Sequence, residues 1–75
     1  MSDLATIEIG ASAAVARIEG TDEIAMRLME MGLTPGVAVQ VISTAPLGDP
    51  IEVEVRGYRL SLRRSEAARV VVETN

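Results

Sequence analysis

Apolar and polar residues alternate with a period of two over several short stretches, and one longer stretch has the period of a helix. The alternating stretches predict β-strands over residues 13–19, 37–44, 51–56, 59–63 and 69–73. The helical stretch spans residues 22–31, and its apolar face consists of Ile24, Ala25, Leu28 and Met31. Residues 65–68 suit a single helical turn capped by Ser65. These short elements and tight connections predict a mainly β fold, a small closed barrel of about five strands with one short helix inserted after the first core strand.

The chain before the helix carries less regular signals. Its first apolar residues predict a short edge strand: Leu4, Ile7 and Ile9. Val15 and Ile18 are three residues apart, and a regular strand would place them on opposite faces, so we expect a bulge between them. Thr21 is the expected N-cap of the helix, because Asp22 and Glu23 would then lie in its first turn, where the helix dipole favours negative charge.

The helix should end at Gly32, which follows the last residue of the apolar pattern. A glycine at this position can adopt the left-handed conformation, and Leu28 and Leu33 would then form the hydrophobic contact of a Schellman motif. Pro35 and Gly36 next suit the two central positions of a type II turn. The run from Arg27 to Gly36 therefore predicts a helix that passes directly into the sheet.

The last hairpin is predicted to turn through residues 57–58, with Gly57 at the first central position of a type II′ turn. This register sets Glu52 opposite Arg63, which is a favourable cross-strand pair. It also sets Arg56 opposite Arg59. Two like charges repel, so the arginines are either tolerated at a hydrated hairpin tip or retained for a partner.

The composition limits the size and the class of the protein. With 75 residues we expect a single domain, with a core over about residues 4–73 and a small buried interior. Cysteine and histidine are both absent, which excludes disulfides, Cys/His zinc sites and a histidine general base. No apolar run reaches the roughly 20 residues of a membrane span, and the first residues lack the pattern of a signal peptide. A cytoplasmic protein without membrane insertion is the expectation.

Charge is unevenly distributed along the chain. The net charge is −4, of which residues 1–55, with two arginines and nine acids, contribute −7, and residues 56–75, with five arginines and two glutamates, contribute +3. The acidic balance argues against a nucleic-acid partner, which needs a basic face. Tyr58 is the single aromatic residue, so neither base stacking nor an aromatic peptide groove is available.

The sequence contains no recognisable catalytic constellation. Its serines have no histidine to activate them, and a phosphate-binding P-loop would need a lysine, which the chain lacks. The spacing of the acids follows outward strand positions and the helix start, as for a solvated surface. We therefore expect no enzyme activity and no cofactor, and at most weak divalent-metal binding by surface carboxylates.

The order of these motifs strongly resembles the FeoA family, small proteins of bacterial ferrous iron uptake, over residues 4–73. Two segments carry the resemblance: Arg-Leu-x-x-x-Gly-Leu-x-Pro-Gly at residues 27–36 and Ala-Pro-Leu-Gly-Asp-Pro-Ile at residues 45–51. It implies an SH3-like barrel with a helical insertion. It also implies a partner, the membrane Fe(II) transporter FeoB with its cytoplasmic GTP-binding domain, which family members support or regulate without being known as enzymes. The same domain type occurs in DtxR-like repressors, but no helix-turn-helix precedes it here, so a standalone accessory protein is expected.

Three functional hypotheses follow. The first is a binding module that docks on the transporter. The second is a GTPase-activating accessory that inserts an arginine, either Arg27 or one near the C-terminus. The third is a metal sensor resembling the repressor domain, whose available ligands are hard carboxylates: Asp22, Glu23, Asp49 and Glu52.

Candidate partner-binding residues lie on the helix and around the last hairpin: Met26, Arg27, Met29, Glu30, Arg56 and Arg59. Methionine is flexible and polarizable, which suits a binding surface. The alternative for Met26 and Met29 is that both widen the packing of the helix against the barrel. The residues with a structural role in turns are Gly32, Pro35, Gly36 and Gly57. The oligomeric state is left open by the sequence.

Overall fold

Six strands and two helices make up residues 1–74, the part of the chain that the computed structural model describes. The strands are β1 (Ser2–Asp3), β2 (Ser12–Ile18), β3 (Ala38–Thr44), β4 (Ile51–Val55), β5 (Tyr58–Leu62) and β6 (Val70–Glu73). The helices are α1 (Glu23–Glu30) and α2 (Arg64–Ala67), and a 3₁₀ turn covers Leu4–Thr6. All strand pairs are antiparallel, in the order β1-β6-β2-β3-β4-β5. The mainly β fold is confirmed, but the expected barrel is an open sheet, because β1 and β5 at the two ends do not pair within the described residues.

The core lies on one face of this sheet, where the alternation of β3, β4 and β5 directs the aliphatic side chains. The fully buried larger residues come from the strands, the 3₁₀ turn and the end of α1: Leu4, Leu28, Leu33, Val39, Val41, Ile51, Val53, Val55, Leu62, Val70 and Val72. Each such side chain contributes roughly 1.5–3 kcal/mol through removal from water. Neither helix of the described residues has the length and apolar character needed to cross a membrane.

The predicted bulge in the first core strand is confirmed. Val15 pairs with Val72, whereas Arg17 pairs with Val71, so Ala16 is the extra residue of β2. Because of this shift, Ile18 also packs against the core in a partly buried position.

The edge strand predicted over Leu4, Ile7 and Ile9 is wrong. Only the two residues of β1 pair with β6. The Asp3 carboxylate then accepts a hydrogen bond from the amide of Ala5 at 2.9 Å and starts the 3₁₀ turn, which carries Leu4 fully into the core. Ile9 lies beyond this turn and is exposed.

The predicted register of the last hairpin is also wrong. The two-residue loop consists of Arg56 and Gly57, whose φ angles of 51° and 87° are those of a type I′ turn with glycine at the second central position. Val55 therefore pairs with Tyr58, and Arg59 lies opposite Glu54 rather than opposite Arg56.

Helix α2 joins three distant parts of the chain. Its N-cap is Arg63, not the expected Ser65. The backbone amide of Arg64 donates to the Asp49 carboxylate at 3.0 Å, and its guanidinium donates to the carbonyls of Gly48 at 3.0 Å and Ala5 at 2.7 Å. One residue thus holds the 3₁₀ turn, the loop between β3 and β4, and the start of α2 together.

Candidate protein-binding surface

The C-terminal end of α1 is fixed by a Schellman motif. The amide of Gly32 donates to the carbonyl of Met29 at 3.0 Å, and that of Leu33 donates to the carbonyl of Leu28 at 3.2 Å. Gly32 has a φ of +106°, and the two leucines are fully buried. The helix therefore ends as its sequence predicts.

The following type II turn connects the helix to the sheet. The amide of Val37 donates to the carbonyl of Thr34 at 3.1 Å across Pro35 and Gly36, and Gly36 has the positive φ, +89°, that this turn requires. The amide of Gly36 then donates to the carbonyl of Val15 at 2.7 Å. The turn thereby aligns the chain with β2 before β3 begins.

The N-cap of α1 is Asp22 and not Thr21. Its carboxylate accepts hydrogen bonds from the amide of Ala25 at 3.2 Å and from the guanidinium of Arg69 at 2.5 Å. The bonds from Arg69 and from the amide hold the pKa of Asp22 below its ordinary value, and the same ion pair raises the pKa of Arg69. Asp22 therefore caps the helix, one residue later than expected, because its carboxylate binds both a helix amide and the guanidinium of Arg69.

Helix α1 buries a narrower stripe than the sequence predicts. Within the helix only Ala25 and Leu28 are buried. Ile24, which was expected to face the barrel, is 37% exposed and lies on one flank of that stripe. Met26 and Met29 are 57% and 40% exposed, and their spacing of three places them side by side on the other flank. The two methionines are therefore surface residues, as a partner-binding role requires.

Arg27 pairs with a residue that the sequence analysis missed. Its guanidinium donates to the carboxylate of Glu66 in α2, 39 positions away. Glu66 is 8% exposed, and its second oxygen accepts the amide of Arg63 at 2.9 Å. The sequence did offer one signal for Glu66, which is its position three residues after the N-cap of α2. A glutamate at that position commonly accepts a hydrogen bond from the backbone amide of the N-cap residue.

The two arginines of the last hairpin differ in their surroundings. Arg59 lies 3.2 Å from Glu52 and 3.9 Å from Glu54, with all three side chains partly in solvent. Arg56 is exposed in the turn and forms no ion pair within residues 1–74. The guanidinium at the tip is therefore available for a partner.

Tyr58 connects this hairpin to the end of α1. Its hydroxyl donates to the carbonyl of Met31 at 2.7 Å, and a Cβ added to Gly32 would lie 2.7 Å from the same hydroxyl. The contact brings the turn end of the hairpin against the C-terminal turn of the helix. The two groups of predicted partner residues are thereby joined through Tyr58.

The carboxylates considered as metal ligands do not come together. Asp22 and Asp49 accept backbone amides, and Glu52 pairs with Arg59. In residues 1–74 no group of three or more acidic side chains is arranged to hold a metal ion.

Comparison with known proteins gives a consistent result. The model of the FeoA domain matches residues 3–74. A fusion of Fe(2+) transport protein A with Fe(2+) transporter FeoB from Porphyromonas gingivalis is 37% identical over 70 residues, which are 93% of this chain and 8% of the fusion protein. The chain thus spans only a small part of that curated relative.

Solved structures resemble the chain closely in fold. An FeoA-like protein of Clostridium acetobutylicum is 37% identical with a TM-score of 0.91, and the match covers 97% of this chain and 85% of that one. FeoA of Stenotrophomonas maltophilia, described as an SH3 domain protein and solved with zinc, is 36% identical with a TM-score of 0.86, and the match covers 97% and 91%. A manganese-dependent transcriptional repressor has a TM-score of 0.87 at 20% identity, with 36% of its length covered, and this likeness concerns the fold alone.

Proposed function

The chain belongs to the FeoA domain family, and from that premise we propose that it is a non-enzymatic cytoplasmic module that docks on an FeoB-type ferrous iron transporter. The supporting observation is the fusion of an FeoA-type segment with FeoB in one polypeptide of P. gingivalis, whose match covers 93% of this chain. Fusion gives two modules a high effective concentration. An FeoA-type module that is not joined to FeoB in this way would need a binding surface of its own to reach that partner.

The proposed docking surface is the exposed flank of α1 together with the hairpin tip. On the helix it consists of Met26, Arg27, Met29 and Glu30, which are all exposed. At the hairpin it consists of Arg56 and Arg59, also exposed. Flexible methionines adapt to a partner's apolar surface, and the arginines supply hydrogen bonds to carboxylates around it.

A matched pair of variants tests the helix surface. Met29→Glu should fold within about 0.5 kcal/mol of the parent, because a substitution on the surface seldom costs more. In a pull-down with the cytoplasmic portion of FeoB it should weaken capture, and in cells it should slow ferrous iron uptake. Leu47→Glu is the control, since Leu47 is 96% exposed in the loop between β3 and β4 and likewise exchanges an apolar side chain for a carboxylate. Equal capture of both variants and the parent would refute a role for Met29.

A second candidate function is stimulation of GTP hydrolysis by an inserted arginine. The guanidinium of Arg56 favours it, because this side chain is exposed and forms no ion pair with any of residues 1–74. Arg27 is less suited, because Glu66 holds its guanidinium. The test is GTP turnover by the isolated transporter domain with parent, Arg56→Lys and Arg56→Ala proteins. An inserted arginine raises the rate of GTP hydrolysis by orders of magnitude, so both variants should lose most of the stimulation. Equal turnover with all three would remove this candidate.

Direct metal sensing is supported only by the zinc complex of the S. maltophilia relative. Because the carboxylates of this chain lie apart, we expect Fe(II) affinity weaker than micromolar. Anaerobic calorimetry with Fe(II) measures it, and tight stoichiometric binding would contradict the expectation.

A further inference from the structure

Strand β5 ends the sheet, and one of its two edges carries free backbone groups. In a hairpin with a two-residue loop the flanking residues, here Val55 and Tyr58, form a hydrogen-bonded pair, and such pairs alternate with non-bonded ones. Arg59 and Ser61 fall in the non-bonded pairs, so their N–H and C=O groups point away from β4. No other group in residues 1–74 binds them, and both residues are exposed.

The same edge is strongly basic although the protein is acidic. Residues 56–64 contain four arginines and no acid, against a net charge of −4 for the chain. Arg64 is used within the fold, and Arg59 pairs weakly with two partly exposed glutamates of β4. Arg56 and Arg63 form no ion pair in the described part of the chain. An incoming strand with acidic side chains would therefore meet unneutralised positive charge at both ends of β5.

Strand β4 shows which sequence pattern fits against β5. It reads Ile-Glu-Val-Glu-Val, with its aliphatic residues buried in the core and its glutamates on the outer face beside Arg59. On the free edge the inner face offers half-exposed Tyr58 and partly buried Leu60, and the outer face offers arginine. A strand that alternates apolar and acidic residues would repeat on this edge the pairing that β4 makes on the other.

We propose that the free edge of β5 accepts an extended strand of a partner protein in which apolar and acidic residues alternate. The proposal rests on the proposed function only for the identity of that partner. A second copy of this chain fits the edge poorly, because pairing two β5 strands would place the Arg59 and Arg63 side chains of both copies on one face of a continuous sheet.

The test uses the whole protein and a blocked peptide, Glu-Ile-Glu-Val-Glu-Val-Glu, as the probe. In ¹⁵N-resolved NMR the amides of Arg59 and Ser61 should shift and become protected from hydrogen exchange when the peptide is added. The amide of Leu60, which is bonded to β4, should remain unchanged. A matched peptide with lysine in place of each glutamate should give no effect at the same concentration, because charge complementarity selects the occupant.

Two kinds of variant locate the binding to the edge. Ser61→Pro removes the outward N–H from an edge position that tolerates proline, whereas Ser61→Ala keeps it. The proline variant should lose at least about tenfold in peptide affinity and the alanine variant less than about twofold. If Ser61→Pro does not fold, the double variant Arg59→Glu/Arg63→Glu decides the question, because it should bind the lysine peptide in preference to the glutamate peptide.

Three results would overturn strand addition: peptide binding without protection of the two amides, equal binding of both peptides by the parent, or protection that rises with protein concentration alone. The last would identify a second copy as the occupant. The FeoB pull-down is independent of these measurements. Capture by FeoB without peptide binding would refute strand addition only, and peptide binding without capture would refute the proposed function only.

Discussion

Gly32 and Gly57 both lie at positive φ in turns, yet of these two only Gly32 is packed against the rest of the fold. At Gly32, φ is +106° and an added Cβ would lie 2.7 Å from the hydroxyl of Tyr58. At Gly57, φ is +87° and an added Cβ would have no atom within 4 Å. At the helix end, glycine is therefore needed both for its positive φ and because a side chain would collide with Tyr58. In the hairpin it is needed for its positive φ alone. Two glycines that look alike in the sequence thus differ in how much stability the protein loses when they are replaced.

The largest effect is expected at the packed turn. Gly32→Ala should destabilise the protein by about 2–3 kcal/mol, because left-handed strain costs roughly 1–2 kcal/mol and displacing the Tyr58 hydroxyl loses about one hydrogen bond more. Urea unfolding measures the change. Gly36→Ala is the control, since its φ is also positive and nothing lies within 4 Å. Equal losses for the two variants would mean that the close approach of Tyr58 has no energetic consequence.

At the exposed turn the loss should be smaller. Gly57→Ala should cost about 1 kcal/mol, because only backbone strain contributes. The same urea titration checks it, and a loss as large as that of Gly32→Ala would show that the hairpin tip is packed in solution.

The link between the two turns can be measured at Tyr58. Tyr58→Phe should lose about 0.5–1 kcal/mol, since the hydroxyl is partly exposed and water replaces part of its bond to Met31. Combining Tyr58→Phe with Gly32→Ala should destabilise less than the sum of the two single changes, because both remove the same contact. Strict additivity would contradict the contact.

The smallest effect should be a gain in stability. Arg56 occupies a left-handed position of the type I′ turn, where asparagine is favoured, so Arg56→Asn should stabilise by about 0.5 kcal/mol. The register that the sequence analysis expected places Arg56 in the strand, where asparagine is unfavourable. A lower urea midpoint for Arg56→Asn would therefore support that other register.

The helix end could be predicted because its signals are local. Leu28, Gly32 and Leu33 lie within six consecutive residues, and the geometry of the helix end links them directly. The hairpin register could not be read from apolar alternation, because a slip that changes the pairing by two positions keeps every side chain on the same face. Charge could have decided it, since only the observed register sets Arg59 opposite a glutamate.

The surface was predictable in part. The helical wheel places Met26 and Met29 beside the apolar face, but only the structure shows that the buried stripe is narrow enough to leave both exposed. The ion pair between Arg27 and Glu66 could not be derived from helical spacing, because it joins residues 39 positions apart through the tertiary fold. The assignment of the partner-binding residues stays a prediction.

The pairing of β1 with β6 and the contacts of Arg64 also determine when the chain can fold during its synthesis. Ser2 pairs with Val72, and the guanidinium that holds the carbonyl of Ala5 belongs to residue 64. A ribosome delivers the N-terminal segment first, but that segment has no binding site until the last strand has emerged. Leu4 therefore stays in water until Val70–Glu73 have been synthesised, and the native state forms only after that step. Until then the segment that holds Leu4 stays open to chaperones and proteases.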